Sequence, residues 1–277
     1  MLRLGVGMRD GPQDPDALAE RYVELGYNAA VWPGNLNLDQ LDRVKALKAA
    51  FKKRDILIAE VGAWRNMISP DPEEYVKNLD FVSDRLALAD EVGACCCVDF
   101  LGTREAGIAW SEHPDNFTDE TFDLCVETVR KVIDRVKPTR TKFTIETMQC
   151  IIPDCVDSYV DLFKAVDRLE FAVHVDPANL ILTPRMVGNT GTLIREYFDR
   201  LGPWIVSCHA KDLIVHPKLA LHIDEVRPGL GRMDYRTYLR EIAKLGRDVP
   251  LILEHLSSME EYGEARDFIS TLCQLKN

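Results

Sequence analysis

The sequence lacks any long uninterrupted run of apolar residues. A membrane-spanning helix needs roughly 18 of them, and the opening residues MLRLGVGMRD lack the apolar core of an export signal. Basic residues are also outnumbered, since the net charge is −11. We find no basic stripe of the kind that binds a phosphate backbone. We therefore predict a cytoplasmic protein that binds neither nucleic acid nor membranes.

Signals for disulfide bonds are missing, although the chain contains 8 cysteines. Cys95, Cys96 and Cys97 follow one another inside an apolar, strand-like run. Neighbours on a strand point to opposite faces, so the triplet suits neither a zinc clamp nor a disulfide. We interpret the cysteines as small apolar residues in a reducing compartment.

Strand-like and helix-like segments alternate along the chain of 277 residues, a length that α/β barrels commonly reach as one domain. The predicted strands are 2–8, 28–33, 56–63, 94–102, 142–148, 171–179, 205–212 and 249–256. Together with the intervening amphipathic helices, they predict a single (β/α)8 TIM barrel domain over residues 1–277. The competing doubly wound sheet would carry a glycine-rich phosphate-binding fingerprint after its first strand, which this sequence does not have.

The last four predicted strands each carry an acidic or imidazole side chain near the carboxyl end: Glu146, Asp176, His209 and Glu254. These residues recur at intervals of roughly 30 to 45 residues, close to the strand-plus-helix repeat of a barrel. A lone buried charge would cost several kcal/mol unless it binds something. One shared site for a divalent ion explains all four. Three carboxylates and an imidazole suit Mn²⁺, Mg²⁺ or Co²⁺, with Zn²⁺ as an alternative.

These four residues, with the phrases HAKD, RPGLGRMDY and PLILEHL, resemble the xylose isomerase-like barrel superfamily, specifically its sugar phosphate isomerase/epimerase branch. The resemblance covers nearly the whole chain. It implies one divalent ion, Mn²⁺ first, and proton removal next to a metal-bound carbonyl through an enediolate. In the ketose epimerases the residues that match Glu146 and Glu254 are both ligands and acid/base residues. The resemblance makes Asp176 and His209 ligands only.

Three positions depart from the ketose epimerases. Where those enzymes carry a Glu, a His and an Arg that grip sugar hydroxyls, this chain has Ile152, Asn179 and Val215. The departure argues against epimerisation of a free ketohexose. It gives nearly equal weight to a lyase of the same superfamily, either an inosose-type dehydratase or a C-glycoside deglycosidase subunit acting on 3-oxo-glycosides. A deglycosidase would also need a small second subunit.

Two long segments, 103–119 and 213–233, leave the carboxyl ends of predicted strands, where barrel loops build active sites. His113 in the first segment is the candidate for an additional catalytic acid or base in the lyase reaction. The candidate substrate-binding residues are Lys211, Trp64, Glu60, Asn179, Arg227 and Trp32. Structural roles remain open for several of these, because the tryptophans can fill the barrel rim, Lys211 can form a buried salt bridge and Arg227 can pin its own loop.

We therefore predict a metal-dependent sugar or cyclitol isomerase or epimerase, with the lyase as the alternative. A repair nuclease of the endonuclease IV type would need a trinuclear zinc cluster and more histidines than the 6 present. A non-catalytic binding subunit would require the four ligands to lie apart. We expect a sugar, keto-sugar or glycoside as the bound molecule and a homo-oligomeric assembly.

Overall fold

A computed structural model of the chain describes residues 2–8 and 10–274; residues 1, 9 and 275–277 of the predicted domain lie outside the described part. The strands, in chain order, are β1 (Arg3–Val6), β2 (Ala29–Val31), β3 (Leu57–Gly62), β4 (Cys96–Asp99), β5 (Lys142–Ile145), β6 (Phe171–Val175), β7 (Ile205–Ala210), β8 (Asp212–His216), β9 (His222–Val226) and β10 (Pro250–Leu253). Within the described residues, eight parallel strands close a barrel in the order β1-β10-β7-β6-β5-β4-β3-β2. The predicted (β/α)8 fold is confirmed.

Helices surround this barrel. They are α1 (Pro15–Glu24), α2 (Leu41–Lys53), α3 (Pro72–Val92), α4 (Asp119–Val136), α5 (Val156–Val166), α6 (Pro184–Val187), α7 (Thr190–Leu201), α8 (Tyr235–Lys244) and α9 (Met259–Gln274). Asp14 and Asp71 cap the first turns of α1 and α3, and each is followed by a proline at the first helical position. Gly93 ends α3 in the left-handed conformation. The Asp-Pro and Gly signals of the sequence therefore mark real helix boundaries.

Each predicted barrel strand contains an observed one, but the observed strands are shorter. The run 171–179 is a strand only over Phe171–Val175, because Pro177 cannot donate to a ladder and the chain turns at the barrel mouth. In β4, Cys96 and Cys97 are fully buried thiols, as expected for small apolar residues. Because the strands end earlier than predicted, the residues that follow them lie at the mouth of the barrel.

The segment 213–233, predicted as a loop, contains an antiparallel hairpin of β8 and β9 that pairs Asp212 with Val226 and His216 with His222. The buried Asp212 carboxylate accepts hydrogen bonds from the backbone amides of Gly229 and Gly231, both at 3.0 Å. A Cβ at Gly231 would lie 2.2 Å from the Asp212 carboxylate, so only glycine fits there. Asp212 thus fixes the glycine-rich turn that leads into α8.

The long segment 103–119 is held against the barrel by Asn116. Its side-chain amide donates to the carbonyls of Ser111 and Cys150, and its oxygen accepts from the Arg104 amide. Because Cys150 lies just beyond β5, these bonds keep the segment beside the carboxyl end of that strand. The segment therefore overhangs the barrel mouth.

Across residues 2–8 and 10–274, we find no helix that is long and apolar enough to cross a membrane.

Candidate active site

Four side chains converge at the carboxyl-terminal mouth of the barrel. Glu146 directly follows β5, Asp176 follows β6, His209 lies within β7 and Glu254 follows β10. Parallel strands bring their carboxyl ends to the same mouth, which explains why residues so distant in sequence meet. The residues predicted as metal ligands are thus brought together.

The His209 ring is the centre of this cluster. Its Nδ1 atom lies 3.1 Å from Glu146 Oε1, 3.4 Å from Asp176 Oδ2 and 3.1 Å from Glu254 Oε2. Glu146, Asp176 and His209 are buried, and only the Glu254 side chain retains appreciable exposure, at 19%. Three carboxylates therefore face one ring nitrogen in a largely buried cluster.

Lys211 provides a positive charge inside this cluster. Its ammonium nitrogen lies 2.6 Å from Asp176 Oδ2, 3.2 Å from Glu254 Oε2 and 3.5 Å from Glu146 Oε1. Burial works against the ammonium, but the three carboxylates outweigh it and raise the pKa of Lys211 above its ordinary value. Lys211 therefore stays charged and partly neutralises the carboxylates.

Burial and charge act in opposite directions on the carboxylates. Burial raises the pKa of Glu146 above its usual range, although Lys211 and His209 oppose the shift. Burial acts on Asp176 in the same direction, but Lys211 and His209 outweigh it and hold the pKa of Asp176 well below its usual range. Burial would lower the pKa of His209, yet the surrounding carboxylates raise it well above the ordinary value. The cluster thus holds Asp176 ionised while Glu146 has an increased affinity for a proton.

The donor set fits a divalent ion. One ligand atom from each of Glu146, Asp176, His209 and Glu254 lies within 4.8 Å of all the others. Small divalent ions bind such atoms at roughly 2.0–2.3 Å. The ammonium of Lys211 already occupies a cation position among the same carboxylates. Oxygen ligands with one imidazole favour hard or borderline divalent metals over soft ones.

A pocket of about 860 Å³ opens above the cluster, a size within the usual range for small-molecule sites. Trp64, Phe100, Trp110 and Met148 form an apolar wall, while Glu146, Lys211 and Glu254 lie at the polar floor. The Trp64 ring lies 5.9 Å from the Phe100 ring and 6.3 Å from the His209 ring, measured between centroids. The arrangement can hold a polar group at the floor and a flat apolar group against the wall.

A sequence model of one family, described as xylose isomerase-like TIM barrel, matches residues 19–272. The chain belongs to the xylose isomerase-like TIM barrel family. No curated protein matches the sequence.

Solved structures of the xylose isomerase-like barrel share its fold at low sequence identity. A magnesium complex of a xylose isomerase-like TIM barrel protein from Mycobacterium smegmatis is 17% identical, with a TM-score of 0.71, and the match covers 98% of this chain and 96% of that one. D-psicose 3-epimerase from Clostridium cellulolyticum H10, solved with D-tagatose, is 18% identical, with a TM-score of 0.71 and coverage of 98% and 99%. A 3-keto-D-glucoside 4-epimerase from E. coli is 12% identical, with a TM-score of 0.69 and coverage of 98% and 100%. These similarities establish the fold.

Four of the predicted substrate-binding residues line the pocket of this xylose isomerase-like barrel: Trp32, Trp64, Asn179 and Lys211. Asn179 donates to Glu146 Oε1 at 3.0 Å, so its side chain is tied to the cluster. Trp32 is 2% exposed and donates its ring N–H to the Leu36 carbonyl. Trp32 therefore contributes mainly a wall, whereas Lys211 and Asn179 contact the polar floor.

The two remaining substrate-binding candidates, Glu60 and Arg227, and the catalytic candidate His113 do not line the pocket. Glu60 is buried in the barrel interior beneath His209, at 1% exposure. Arg227 pairs with Glu264 at 3.0 Å and hydrogen-bonds the Pro228 carbonyl, so it holds its own loop. His113 accepts a hydrogen bond from the Asp115 amide and begins a short 3-10 helix, Pro114–Phe117. The His113 side chain thus serves as a cap, and its predicted catalytic role stays a prediction.

The sequence did not indicate the other half of the pocket wall. Phe100, Met148, Gln149 and Tyr262 line the pocket, but each follows a strand or lies on a helix whose pattern suggests an ordinary apolar or polar position. The last residues of the predicted strands 94–102 and 142–148 would have been the usable signal for Phe100 and Met148, because the carboxyl ends of barrel strands face the site.

Proposed function

We propose that this protein is a divalent-metal-dependent isomerase or epimerase of a sugar or cyclitol that removes a proton from a carbon next to a carbonyl. The observation that carries the proposal is the convergence of Glu146 and Glu254 on one cation-binding centre at the floor of an open pocket. Two carboxylates that approach from β5 and β10 can act on different sides of one substrate carbon.

The ion would act as a Lewis acid that lowers the cost of forming negative charge next to the reacting carbon. Glu146, Asp176, His209 and Glu254 would hold it. The donor set suits Mn²⁺, Mg²⁺ and Co²⁺, with Zn²⁺ as a further alternative, and we propose Mn²⁺ first. The magnesium complex of the Mycobacterium smegmatis relative supports a divalent ion in this kind of barrel.

Glu146 has the environment expected of a carboxylate that accepts and returns a proton. Burial raises the pKa of Glu146, so this carboxylate has a greater affinity for a proton than an exposed glutamate has. Asn179 donates to Glu146 Oε1 and so fixes the direction of the carboxylate. Glu254, more exposed at the pocket edge, would serve as the partner that protonates or deprotonates the other face.

Sugar substrates are supported by the pocket and by the solved relatives. The polar floor and aromatic wall suit a polyhydroxylated ring, whose C–H face packs on an indole while its hydroxyls reach polar groups. Two relatives of the same fold are, by their descriptions, a D-psicose 3-epimerase with D-tagatose and a 3-keto-D-glucoside 4-epimerase.

The lyase remains the second candidate because the pocket is wide. The pocket has a volume of about 860 Å³ and is lined in part by Trp110, which is 42% exposed, so a bulky leaving group would find room. Ile152 is buried and does not line the pocket, so it gives the lyase no support. The position of His113 as a helix cap gives that reaction no support as an additional acid. We therefore prefer the isomerase. A cytoplasmic location, a homo-oligomer and, for the lyase, a small second subunit stay predictions.

The experiment is solvent deuterium exchange with Mn²⁺-loaded protein. Free ketoses, inososes and 3-oxo-glucosides are incubated in D₂O, and products are analysed by mass spectrometry and NMR. The proposal expects an isomer with deuterium at the carbon next to the carbonyl. Release of an aglycone or of water would favour the lyase, and conversion without any exchange would contradict both.

A further inference from the structure

A carboxylate lies where a TIM barrel normally packs apolar side chains. The interior of such a barrel is a packed core, mostly of branched apolar residues, yet Glu60 points into it from β3 and is 1% exposed. A buried carboxylate is expensive unless hydrogen bonds or charges compensate it. The partners of Glu60 should therefore explain its presence.

The two oxygens of Glu60 face two residues of β7, and Oε2 also lies 3.8 Å from Nδ1 of the buried His174 on β6. Its Oε1 atom lies 3.3 Å from His209 Nε2, and its Oε2 atom accepts a hydrogen bond from Ser207 Oγ at 3.2 Å. Ser207 and His209 are two residues apart on one strand, so their side chains share the inward face. The barrel frame itself, rather than a loop, holds Glu60 against the ring of His209.

The two nitrogens of His209 consequently have different surroundings. Nδ1 faces the carboxylates of Glu146, Asp176 and Glu254, where the ion would bind, while Nε2 faces Glu60. A neutral imidazole can use one nitrogen as a ligand only if the other carries the proton. In histidine ligands of metals, this second N–H commonly donates a hydrogen bond to a carboxylate, which fixes the tautomer and the ring orientation.

We propose that Glu60 is a positioning residue for the metal centre: its carboxylate accepts a hydrogen bond from the Nε2–H of His209 and so presents Nδ1 to the ion. The proposal rests on the metal site of the proposed function but not on the sugar chemistry. It assigns Glu60 a role in the barrel interior instead of contact with substrate. Ser207 supports it by fixing the second oxygen of Glu60.

The test measures metal binding, without substrate, in wild type, Glu60→Gln, Ser207→Ala and a control, Glu241→Gln. Glu241 is also a buried carboxylate, at 3% exposure, but lies on α8 and pairs with Lys244. Mn²⁺ affinity is measured by electron paramagnetic resonance. We expect Glu60→Gln to weaken it by about 10- to 100-fold, the usual effect of losing such an outer partner. Ser207→Ala should weaken it by a few-fold, and Glu241→Gln should leave it unchanged.

The second readout is the tautomer. In Zn²⁺-loaded protein with ¹⁵N-labelled histidine, assigned by comparison with His209→Gln, the proton of His209 should be on Nε2. A proton on Nδ1 would overturn the proposal, as would unchanged Mn²⁺ affinity in both Glu60→Gln and Ser207→Ala. Ser207→Ala retains the buried charge and so serves if Glu60→Gln does not fold. Wild type that binds no divalent ion would overturn the proposed function as well, whereas wild type that binds Mn²⁺ but converts no sugar would contradict only the proposed reaction.

Discussion

The ammonium of Lys211 lies 2.6 Å from the carboxylate of Asp176 in the floor of the pocket. Both side chains are buried, and Asp176 is also a candidate ligand. Lys211 and a divalent ion therefore interact with the same negative charge. Without an ion, the ammonium of Lys211 provides most of the positive charge that compensates the three carboxylates. When an ion binds, the ammonium and the ion compete for the same carboxylate oxygens.

Replacement of Lys211 by methionine should separate these two effects. In the presence of a chelator, Lys211→Met should lower the free energy of unfolding by about 3–5 kcal/mol, as expected when a buried ion pair loses one partner. Saturating Mn²⁺ should restore most of that loss, because the ion supplies the missing positive charge. Urea unfolding with and without Mn²⁺ measures both. Lys218→Met, on the exposed hairpin, is the control, and an equal loss of stability in both conditions would argue against a shared cation site.

The two glutamates should be needed for turnover. Glu146→Gln and Glu254→Gln each keep the side-chain shape but remove the proton-accepting carboxylate, so turnover should fall by about 10²-fold or more. Initial rates at saturating Mn²⁺ and deuterium exchange into the substrate provide the measurement. Glu196→Gln makes the same substitution at an exposed position on α7, and it should leave both turnover and deuterium exchange unchanged. Near-normal turnover and exchange in both site variants would rule out their assigned roles.

His113 should be dispensable for isomerisation. Its Nδ1 atom caps a short helix, so His113→Gln should change turnover by no more than about two-fold, within the range of a surface substitution. The assay compares isomer formation and aglycone release in wild type and variant. Loss of aglycone release with retained deuterium exchange would revive the lyase, because it would show His113 acting on the leaving group.

The cap of α8 gives a pH-dependent prediction for stability. Burial acts to raise the pKa of Asp234, but hydrogen bonds from Thr237 outweigh it and lower that pKa below the ordinary value. Because the folded pKa is the lower one, the stability from this shift is present above the ordinary value and is lost as the pH falls through the folded pKa. Asp234→Ala should therefore cost about 1 kcal/mol at neutral pH.

The deficit of Asp234→Ala relative to wild type should shrink between about pH 5 and pH 3, as the wild-type carboxyl is protonated. Urea unfolding across that range measures it. Asp234→Asn retains a capping oxygen but does not titrate, so its stability relative to Asp234→Ala should vary less with pH. A deficit that is constant with pH would show that the cap does not depend on charge.

The sequence was sufficient to predict the barrel and the convergence of four side chains at its mouth, because both follow from position along the strands. A charge at the end of each of four successive parallel strands must arrive at one mouth, so Glu146, Asp176, His209 and Glu254 needed no further information. The depth of a side chain along the barrel axis could not be predicted in the same way. Strand parity places Glu60 on the inward face, but only the register that pairs it with Cys96 sets it below the pocket. Strand parity therefore suggested that Glu60 contacts the substrate, whereas in the structure Glu60 lies in the barrel interior against His209.

The conformation of the two long segments could not be predicted from the sequence either. The hairpin of β8 and β9 lies outside the barrel, and three of the five residues of β9 are exposed, so this strand has only a weak apolar pattern. The path of residues 103–119 depends on Asn116 and its hydrogen bonds to distant carbonyls, which no local pattern reveals. His113 and Arg227 were candidates for the pocket because of their residue types and their places in the two long segments, but both side chains make contacts within their own segments or with α9.

The most direct test of the account is metal binding by the unsubstituted protein. Protein stripped with a chelator, reloaded with Mn²⁺ and crystallised should contain one ion per chain, bound by Glu146, Asp176, His209 and Glu254 at roughly 2.0–2.3 Å. Asp176→Asn should lose the ion while remaining folded, and Asp199→Asn, an exposed control, should retain it. An unloaded site in wild type, or an ion retained with equal affinity in Asp176→Asn, would contradict the account.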